Sequence, residues 1–199
     1  MKTLADLYEH LLRDVYHAEK QVKKLLPKLA RAVTDEDLGE ALDKDLVDVV
    51  ARLECVEGAF EAIDKKAKTV PCEAMMGLVK EGEEVLEEAD DDAVDAGILA
   101  AYQAIKHYEI TRFGTLAAWS KRLGDNKIAA KFSALVSESR ALDQHLTELA
   151  EATVNPVADD ATEATGSAKL DGTNKGEKAA PRTKGARKAS GNGTAALEK

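Results

Sequence analysis

The sequence predicts an all-α protein built as a bundle of long helices, and three observations lead to this prediction. Aromatic residues make up only 4% of the 199-residue chain, which is rich in Ala, Leu, Glu and Lys, the residues typical of helices. Apolar residues recur at spacings of three and four along four long stretches. Very short connections join these stretches in pairs, so the paired helices are expected to run antiparallel.

The first helical hairpin is predicted at the start of the chain. Thr3 is a suitable N-cap, Asp6 follows three residues later, and the apolar stripe continues to about Val33. Pro27 lies inside this stripe and is expected to bend the helix, not to end it. The second helix begins near Asp35 or Glu36. Its apolar positions are Leu38, Leu42, Leu46, Val49, Leu53, Val56, Phe60 and Ile63.

A crossover and a second hairpin follow. A shorter helix over 72–89 contains Gly77 and Gly82, which makes it the least stable of the predicted helices. The acidic run at 90–92 is expected to cap the next helix, which ends near Gly124, and the last helix starts at Asp125 or Asn126. Two hairpins joined by one long crossover with its own helix form the ferritin-like four-helix arrangement.

The composition changes near the C-terminal end of the chain. From about residue 153 the sequence consists mainly of Ala, Thr, Gly, Ser, Lys and Pro, and such a segment cannot bury enough apolar surface to offset its chain entropy. We therefore expect a folded domain over 1–152 and a disordered tail over 153–199. Within that tail, residues 169–188 are predominantly basic.

Charge and the course of the sequence restrict the protein class. The formal net charge of −9 argues against a main surface that binds nucleic acid or an anionic membrane. The sequence has no long uncharged apolar run and does not begin like a signal peptide, so a cytoplasmic location without membrane contact is expected. Cys55 and Cys72 form no Cys-x-x-Cys pair and are expected to be free thiols in a reducing compartment.

Each of the four long helices carries one acidic residue within its apolar stripe. Glu19 lies between Val15 and Val22 at helical spacing, which predicts an interior position. The other three acids have the same relation to their apolar neighbours, and similar offsets within the two hairpins should bring all four to one level of the bundle. The four predicted interior acids are Glu19, Asp45, Glu109 and Glu138.

These acids form a candidate metal site. A buried carboxylate is costly unless a cation accompanies it, basic residues look scarce on the inner faces, and hard oxygen ligands suit iron or manganese. The alternative is that the acids are boundary residues, bonded to tyrosines or paired with Lys106 or Arg112. The Glu-x-x-His motif of dimetal bundles is missing, and His107 and His145 are expected to be surface or packing residues.

Several short motifs carry a resemblance to a known family. The sequence over residues 3–152 resembles the YciE/YciF-type ferritin-like stress proteins, with matching segments in the same order. These segments are Leu12–Gln21, which contains Tyr-His-Ala-Glu, Cys72–Met75, His107–Ile110, Gly114–Leu116 and Leu146–Glu151.

The resemblance implies a small bacterial protein that forms homodimers and has a rubrerythrin-like domain with a di-iron site. Glu19, Glu109 and Glu138 match acidic positions of the family's site. Two positions depart from the family pattern, because Asp45 replaces the usual glutamate and Leu42 stands where a histidine is expected. A shorter acid and a lost nitrogen ligand should weaken metal binding.

Two functions are therefore predicted. The first is a carboxylate-bridged dimetal protein that binds iron or manganese and reacts with peroxide or dioxygen during stress. The alternative is a non-catalytic helical dimer, an interaction or structural stress protein with a degenerate metal site. In either case, the basic tail could contact nucleic acid or another polyanion weakly.

Overall fold

The structure, a computed structural model, describes residues 1–90 and 93–164, and side chains as far as Asp159. All regular secondary structure in these residues is helical. In chain order the elements are α1 (Leu4–Ala32), α2 (Glu36–Glu61), α3 (Glu73–Glu88), α4 (Val94–Arg122), α5 (Asn126–Leu149), a π-helical turn (Ala150–Val154) and α6 (Asn155–Ala164).

The four long helices form a ring. α1 packs against α2 and α4, and α5 closes the ring against α2 and α4. The crossover helix α3 packs on the outside of α1 and α4. A Cβ atom at Gly97 would lie 2.6 Å from Val85 Cγ1, so only glycine lets α3 approach α4 this closely. The predicted all-α bundle, with two hairpins and a helix in the crossover, is confirmed.

Side-chain caps fix most of the helix starts. Thr3 and Asp6 form the predicted capping box, while Asp35 and Asp125 cap α2 and α5. The expected acidic cap of α4 is not found in the described residues: Ala93 is its N-cap and makes no side-chain cap bond. Residues 91 and 92 lie outside the described ranges.

Polar contacts tie both ends of α4 to the first hairpin, one through the α1–α2 connection and one through α1. The Asp95 carboxylate accepts hydrogen bonds from the backbone N–H groups of Thr34 and Asp35, at 2.9 and 2.8 Å, and from the Thr34 hydroxyl. At the other end of the bundle, the Ser120 hydroxyl donates to the Tyr8 hydroxyl at 2.9 Å. These contacts hold α1 and α4 antiparallel, so every neighbouring pair in the ring of four is antiparallel.

The apolar core consists of two clusters. One contains Val22, Leu42 and Ile98, and the other contains Val15, Val56 and Phe113. Between them along the helices lie charged residues that are themselves fully or almost fully buried. This buried charged layer contains most of the predicted site.

The folded region continues beyond the predicted boundary at residue 152. A π-helical turn over Ala150–Val154 leads into α6, so disorder from residue 153 onward is wrong for residues 153–164. The reason is local packing, because Val154 is buried in the first apolar cluster and Thr153 donates a hydrogen bond to the Leu149 carbonyl. The basic segment 169–188 lies outside the described residues.

Two further features bear on the sequence predictions. In the described part of the chain, no helix has both the length and the apolar character that crossing a lipid bilayer requires. Cys55 and Cys72 are both free and buried, as expected.

Val154 provides a test of the extended boundary. Val154→Ala should lower the free energy of unfolding by about 2 kcal/mol, because it removes two buried methyl groups and leaves a small cavity. Val157→Ala is the matched control, since Val157 is 62% exposed and its truncation should change stability by less than about 0.5 kcal/mol. Urea denaturation measures both, and equal effects would show that residue 154 does not belong to the core.

Candidate functional site: a buried layer of paired charges

Three of the four predicted acids lie in the centre of the bundle. Glu19 on α1, Asp45 on α2 and Glu109 on α4 are 0%, 2% and 1% exposed, so their predicted interior positions are confirmed. Each lies within the apolar stripe of its helix and points toward the other helices. The burial of three carboxylates in one layer demands compensation by positive charge or by protons.

Two basic side chains provide this compensation. Arg52 is 4% exposed and Lys106 is 0% exposed, and both lie among the three acids. The expectation that basic residues are scarce on the inner faces is therefore wrong. Pairing with Lys106, one of the alternatives considered from the sequence, is confirmed.

Arg52 joins the acids of the first hairpin. Its Nε donates to Glu19 Oε2 at 2.8 Å, and its Nη1 and Nη2 donate to Asp45 at 2.6 and 3.2 Å. The two bonds to Asp45 form the bidentate arrangement that a guanidinium makes with a carboxylate. Nη2 also lies 3.7 Å from Glu109 Oε1. Every guanidinium nitrogen therefore faces a carboxylate.

Lys106 joins the two hairpins. Its Nζ donates to Asp45 Oδ2 at 2.7 Å and to the two oxygens of Glu109 at 3.0 and 2.8 Å. The ammonium also lies 5.0 Å from the centre of the Tyr102 ring, within the range of a cation–π contact. One lysine thus lies between carboxylates of α2 and α4, in the position that a bridging cation would occupy.

Glu138 is not an interior residue. It is exposed on α5, and the buried position in this turn belongs to Ser139, which is 5% exposed and lies 3.5 Å from Glu109 Oε2. Both positions satisfy a spacing of three or four from the apolar residues Leu135 and Leu142. Desolvation decides between them, because a serine hydroxyl costs far less to bury than a further carboxylate beside Glu109. The interior prediction for Glu138 is wrong.

Arg52 and Lys106 could have been found from the sequence. Arg52 lies three residues after Val49 and four before Val56, which is the same test that identified the acids. Lys106 lies three residues before Glu109 and four after Tyr102. A basic residue inside an apolar stripe was the signal, and it was present in both helices.

The charges of the layer do not cancel completely. Three carboxylates against two cations leave one negative charge (3 − 2). Of the three acids, Glu19 is the least compensated by hydrogen bonds. Its Oε1 is buried and has no hydrogen-bond partner among the described residues. Burial raises the pKa of Glu19 to about 7, the negative charge of Glu109 adds to this effect, and Arg52 and Lys106 oppose it. Protonation of Glu19 would make the layer neutral.

Asp45 and Arg52 are held in their charged forms. Burial opposes ionisation of Asp45, but the charges of Lys106 and Arg52 outweigh it and hold the pKa of Asp45 well below its usual range. Burial likewise disfavours the guanidinium charge of Arg52, yet the carboxylates of Glu109, Glu19 and Asp45 raise its pKa well above the usual value. The layer is therefore a mutually stabilised ion network.

The residues of this layer do not fit a dimetal centre. Within the described ranges, no group of three or more His, Cys, Asp or Glu side chains is arranged to hold a metal ion. The oxygens of Asp45 and Glu109 that would bind or bridge metal ions already accept bonds from Arg52 and Lys106. A metal ion at this place would also lie beside two buried positive charges, and the Coulomb repulsion would oppose binding.

The histidines do not complete a ligand set. His107 Nε2 lies 3.1 Å from Asp143 Oδ2 with its side chain 69% exposed, which agrees with the predicted surface role. His17 Nδ1 accepts the backbone N–H of Cys72 at 3.1 Å and so anchors the start of α3. His145 lines an open cleft between α2 and α5, beside the layer.

Comparisons with known proteins agree with the fold. Residues 3–159 match a family model described as a domain of unknown function, DUF892. The chain is 40% identical over 161 residues to Protein YciF of Escherichia coli (strain K12), and the match covers 80% of this chain and 97% of YciF.

Solved structures extend the comparison. The crystal structure of the E. coli stress protein YciF matches with a TM-score of 0.74 at 39% identity, over 78% of this chain and 99% of that one. YcfI of Rhodopseudomonas palustris matches with a TM-score of 0.70 at 38% identity, over 73% and 94% of the two chains. A protein from Xanthomonas campestris pv. campestris shares the fold, with a TM-score of 0.66 at 16% identity, over 80% and 99%.

Lys106 provides a test of the ion network. Lys106→Met should lower the free energy of unfolding by about 3–5 kcal/mol, because it leaves buried carboxylates with too little positive charge. Lys80→Met is the control, since Lys80 pairs with Glu84 on the exposed face of α3, and its loss should change stability little. Urea denaturation at neutral pH compares them, and a similar small effect of both changes would contradict the network.

Glu19 gives the layer a pH dependence. Because its pKa in the folded protein, about 7, lies above its ordinary value of 4.5, the folded state binds more protons than the unfolded state between these values. This group therefore lowers stability as the pH rises from about 5 to about 8. Asp45 acts in the opposite sense, since its lowered pKa stabilises the fold above its ordinary range and this contribution is lost in acid.

Glu19→Gln isolates the first effect. The glutamine cannot ionise, so unfolding free energies of the variant should change less between about pH 5 and about pH 8 than those of the unsubstituted protein. Denaturation curves at several pH values measure the difference between the two slopes. Identical slopes would mean that Glu19 does not take up a proton in this range.

Proposed function

Because the chain belongs to the DUF892 family and is 40% identical to the stress protein YciF, we propose that it is a metal-independent helical stress protein that acts by binding and not by metal-based oxidation. In this proposal Arg52 and Lys106 take the place of metal ions in the centre of the bundle. The observation that supports it most directly is the position of Lys106 Nζ, which contacts carboxylates of both hairpins within 3.0 Å.

The chemistry of the layer favours a structural role for its acids. An ammonium and a guanidinium compensate buried carboxylates, but neither offers open coordination positions where peroxide or dioxygen could bind. The carboxylates of Asp45 and Glu109 are also held in place by hydrogen bonds from Arg52 and Lys106. A site of this kind stabilises the bundle. The proposed binding activity then belongs to the surface of the protein.

The descriptions of the relatives are compatible with this role. YciF is described as a stress protein, and YcfI is described as a candidate structural protein. Neither description names a metal or a reaction. We propose both a stress-related and a structural role for this chain, which shares more than a third of its residues with each of them over the matched regions.

The rival function is a dimetal centre held by Glu19, Asp45, Glu109 and Glu138, with iron or manganese reacting with peroxide or dioxygen. It requires that metal ions displace Arg52 and Lys106 from Asp45 and Glu109, and that Glu138 turns inward from the exposed face of α5. Both changes oppose the observed packing. Metal ions bound to the purified protein would support this function in place of the proposed one.

Metal analysis of the protein purified without chelator separates the two functions. We expect less than about 0.1 equivalent of iron or manganese per chain, before and after incubation with either ion, because the carboxylate oxygens are already compensated. Elemental analysis by mass spectrometry provides the measurement. About two equivalents bound per chain would overturn the proposal and support the dimetal centre.

The double variant Arg52→Met with Lys106→Met is the matched control. It keeps all four acids but removes both internal cations, so its carboxylates need another source of positive charge. We expect the variant to be less stable than the unsubstituted protein and to regain thermal stability when Mn²⁺ is added. An unsubstituted protein stabilised by Mn²⁺ as strongly as the variant would contradict metal independence.

Three other expectations stay predictions. The homodimer and the cytoplasmic location rest on the family resemblance and on the sequence, and the contact of the basic tail with nucleic acid or another polyanion concerns residues outside the described ranges. The proposed function uses none of them. A dimer would add a second set of helix faces through which binding could occur.

A further inference from the structure

The cleft between α2 and α5 is a second feature of the bundle, and its floor is formed by the charged layer, from which Asp45, Arg52, Lys106 and Ser139 line it. It has a volume of about 930 Å³, and a smaller cavity of about 280 Å³ continues it along the same two helices. Cavities of 300–1,000 Å³ are typical of small-molecule sites. The cleft lies on the side of the bundle away from α3, which packs on α1 and α4.

Aliphatic side chains from both helices form part of the cleft wall. Ala41 and Ala51 come from α2, while Leu135, Ala141 and Leu142 come from α5. The small side chains of the alanines leave the seam between the helices open. These walls can hold a chain of methylene groups, but they offer no broad flat face for an aromatic ring.

The mouth of the cleft carries excess negative charge. Four acids line it, Asp37, Glu40, Asp48 and Glu138, against one lysine, Lys44, and one histidine, His145. Lys44 lies 3.9 Å from Asp48, whereas the other three acids make no salt bridge with any described residue. Along α2, Glu40 and Asp48 are separated by about 12 Å, from a rise of 1.5 Å per residue. Negative charge is thus available at two separated points of the cleft.

The floor of the cleft is unfavourable for anions. Arg52 and Lys106 line it, but the three N–H groups of Lys106 and three of the five N–H groups of Arg52 already donate to Glu19, Asp45 and Glu109. A carboxylate or phosphate would therefore meet acids at the mouth and two cations whose charge is already compensated by buried carboxylates. Cationic groups, in contrast, would be attracted by the acids at the mouth.

From the aliphatic wall residues, the separated acids and the already compensated cations of the floor, we infer that the cleft binds an elongated aliphatic amine with at least two ammonium groups. The methylene chain lies along the alanine and leucine walls, one ammonium pairs with Glu40 near the α2 start, and another pairs with Glu138 or Asp48. This inference rests on the proposed binding function and names its ligand class. Ligand and protein associate without any covalent step.

Isothermal titration calorimetry with the triamine spermidine tests the inference, at about 0.15 M salt so that long-range attraction to the acidic protein is screened. We expect saturable binding of one molecule per chain. Suberate, an aliphatic dicarboxylate, is the charge-inverted probe and should not bind. Equal binding of both probes, or no saturable heat with spermidine, would overturn the inference.

Two double variants distinguish the cleft from general charge attraction. Glu40→Gln with Glu138→Gln removes two acids from the cleft and should weaken spermidine binding at least about tenfold. Glu81→Gln with Glu87→Gln removes the same charge from exposed positions on α3 and should change binding less than about twofold. Equal losses in the two variants would place the binding outside the cleft.

A third variant tests the apolar wall. Ala141→Phe fills the cleft from an exposed position on α5, so it should abolish spermidine binding while the fold remains intact by circular dichroism. Unchanged affinity would contradict the proposed position of the methylene chain. None of these variants alters Arg52 or Lys106, so a failure here leaves the metal analysis unaffected, and metal binding by the unsubstituted protein would be detected independently.

Discussion

Charge balance in the middle of the bundle is the constraint on which the rest of the structure depends. Three carboxylates that lie at most 2% exposed would be untenable without compensation. Arg52 and Lys106 provide it by contacts between α1, α2 and α4, and the small hydroxyl of Ser139 completes the layer from α5. The apolar clusters on either side supply most of the burial, but the layer decides how the four helices face one another.

Much of the fold could be predicted from the sequence because its signals are local and repeated. Spacings of three and four, a capping box at Thr3 and the stop at Gly124 depend on neighbouring residues, and the helices begin and end close to the predicted positions. The C-terminal boundary was harder to predict. Composition described the tail correctly as poor in apolar residues, but one valine at 154 reaches the core and extends the helical region.

The site could be predicted only in part, for a physical reason. Periodicity shows which backbone positions face inward, and it placed Glu19, Asp45 and Glu109 correctly. It does not show where the end of a long flexible side chain lies, and Arg52 and Lys106 can either turn to solvent or extend inward. For Glu138 and Ser139, two adjacent positions satisfied the same spacing, and only the cost of desolvation in the assembled layer distinguished them.

The layer also has a consequence for how the helices align. Moving one helix past its neighbour by a single turn shifts it by about 5.4 Å, about twice the length of the bonds in the layer. A purely apolar seam could tolerate such a slip by exchanging one leucine for another. Here it would break the bond between Lys106 and Asp45. Each would keep a partner on its own helix, Glu109 and Arg52, but the first hairpin would be left with two buried carboxylates against one cation, so the layer favours one register of the two hairpins.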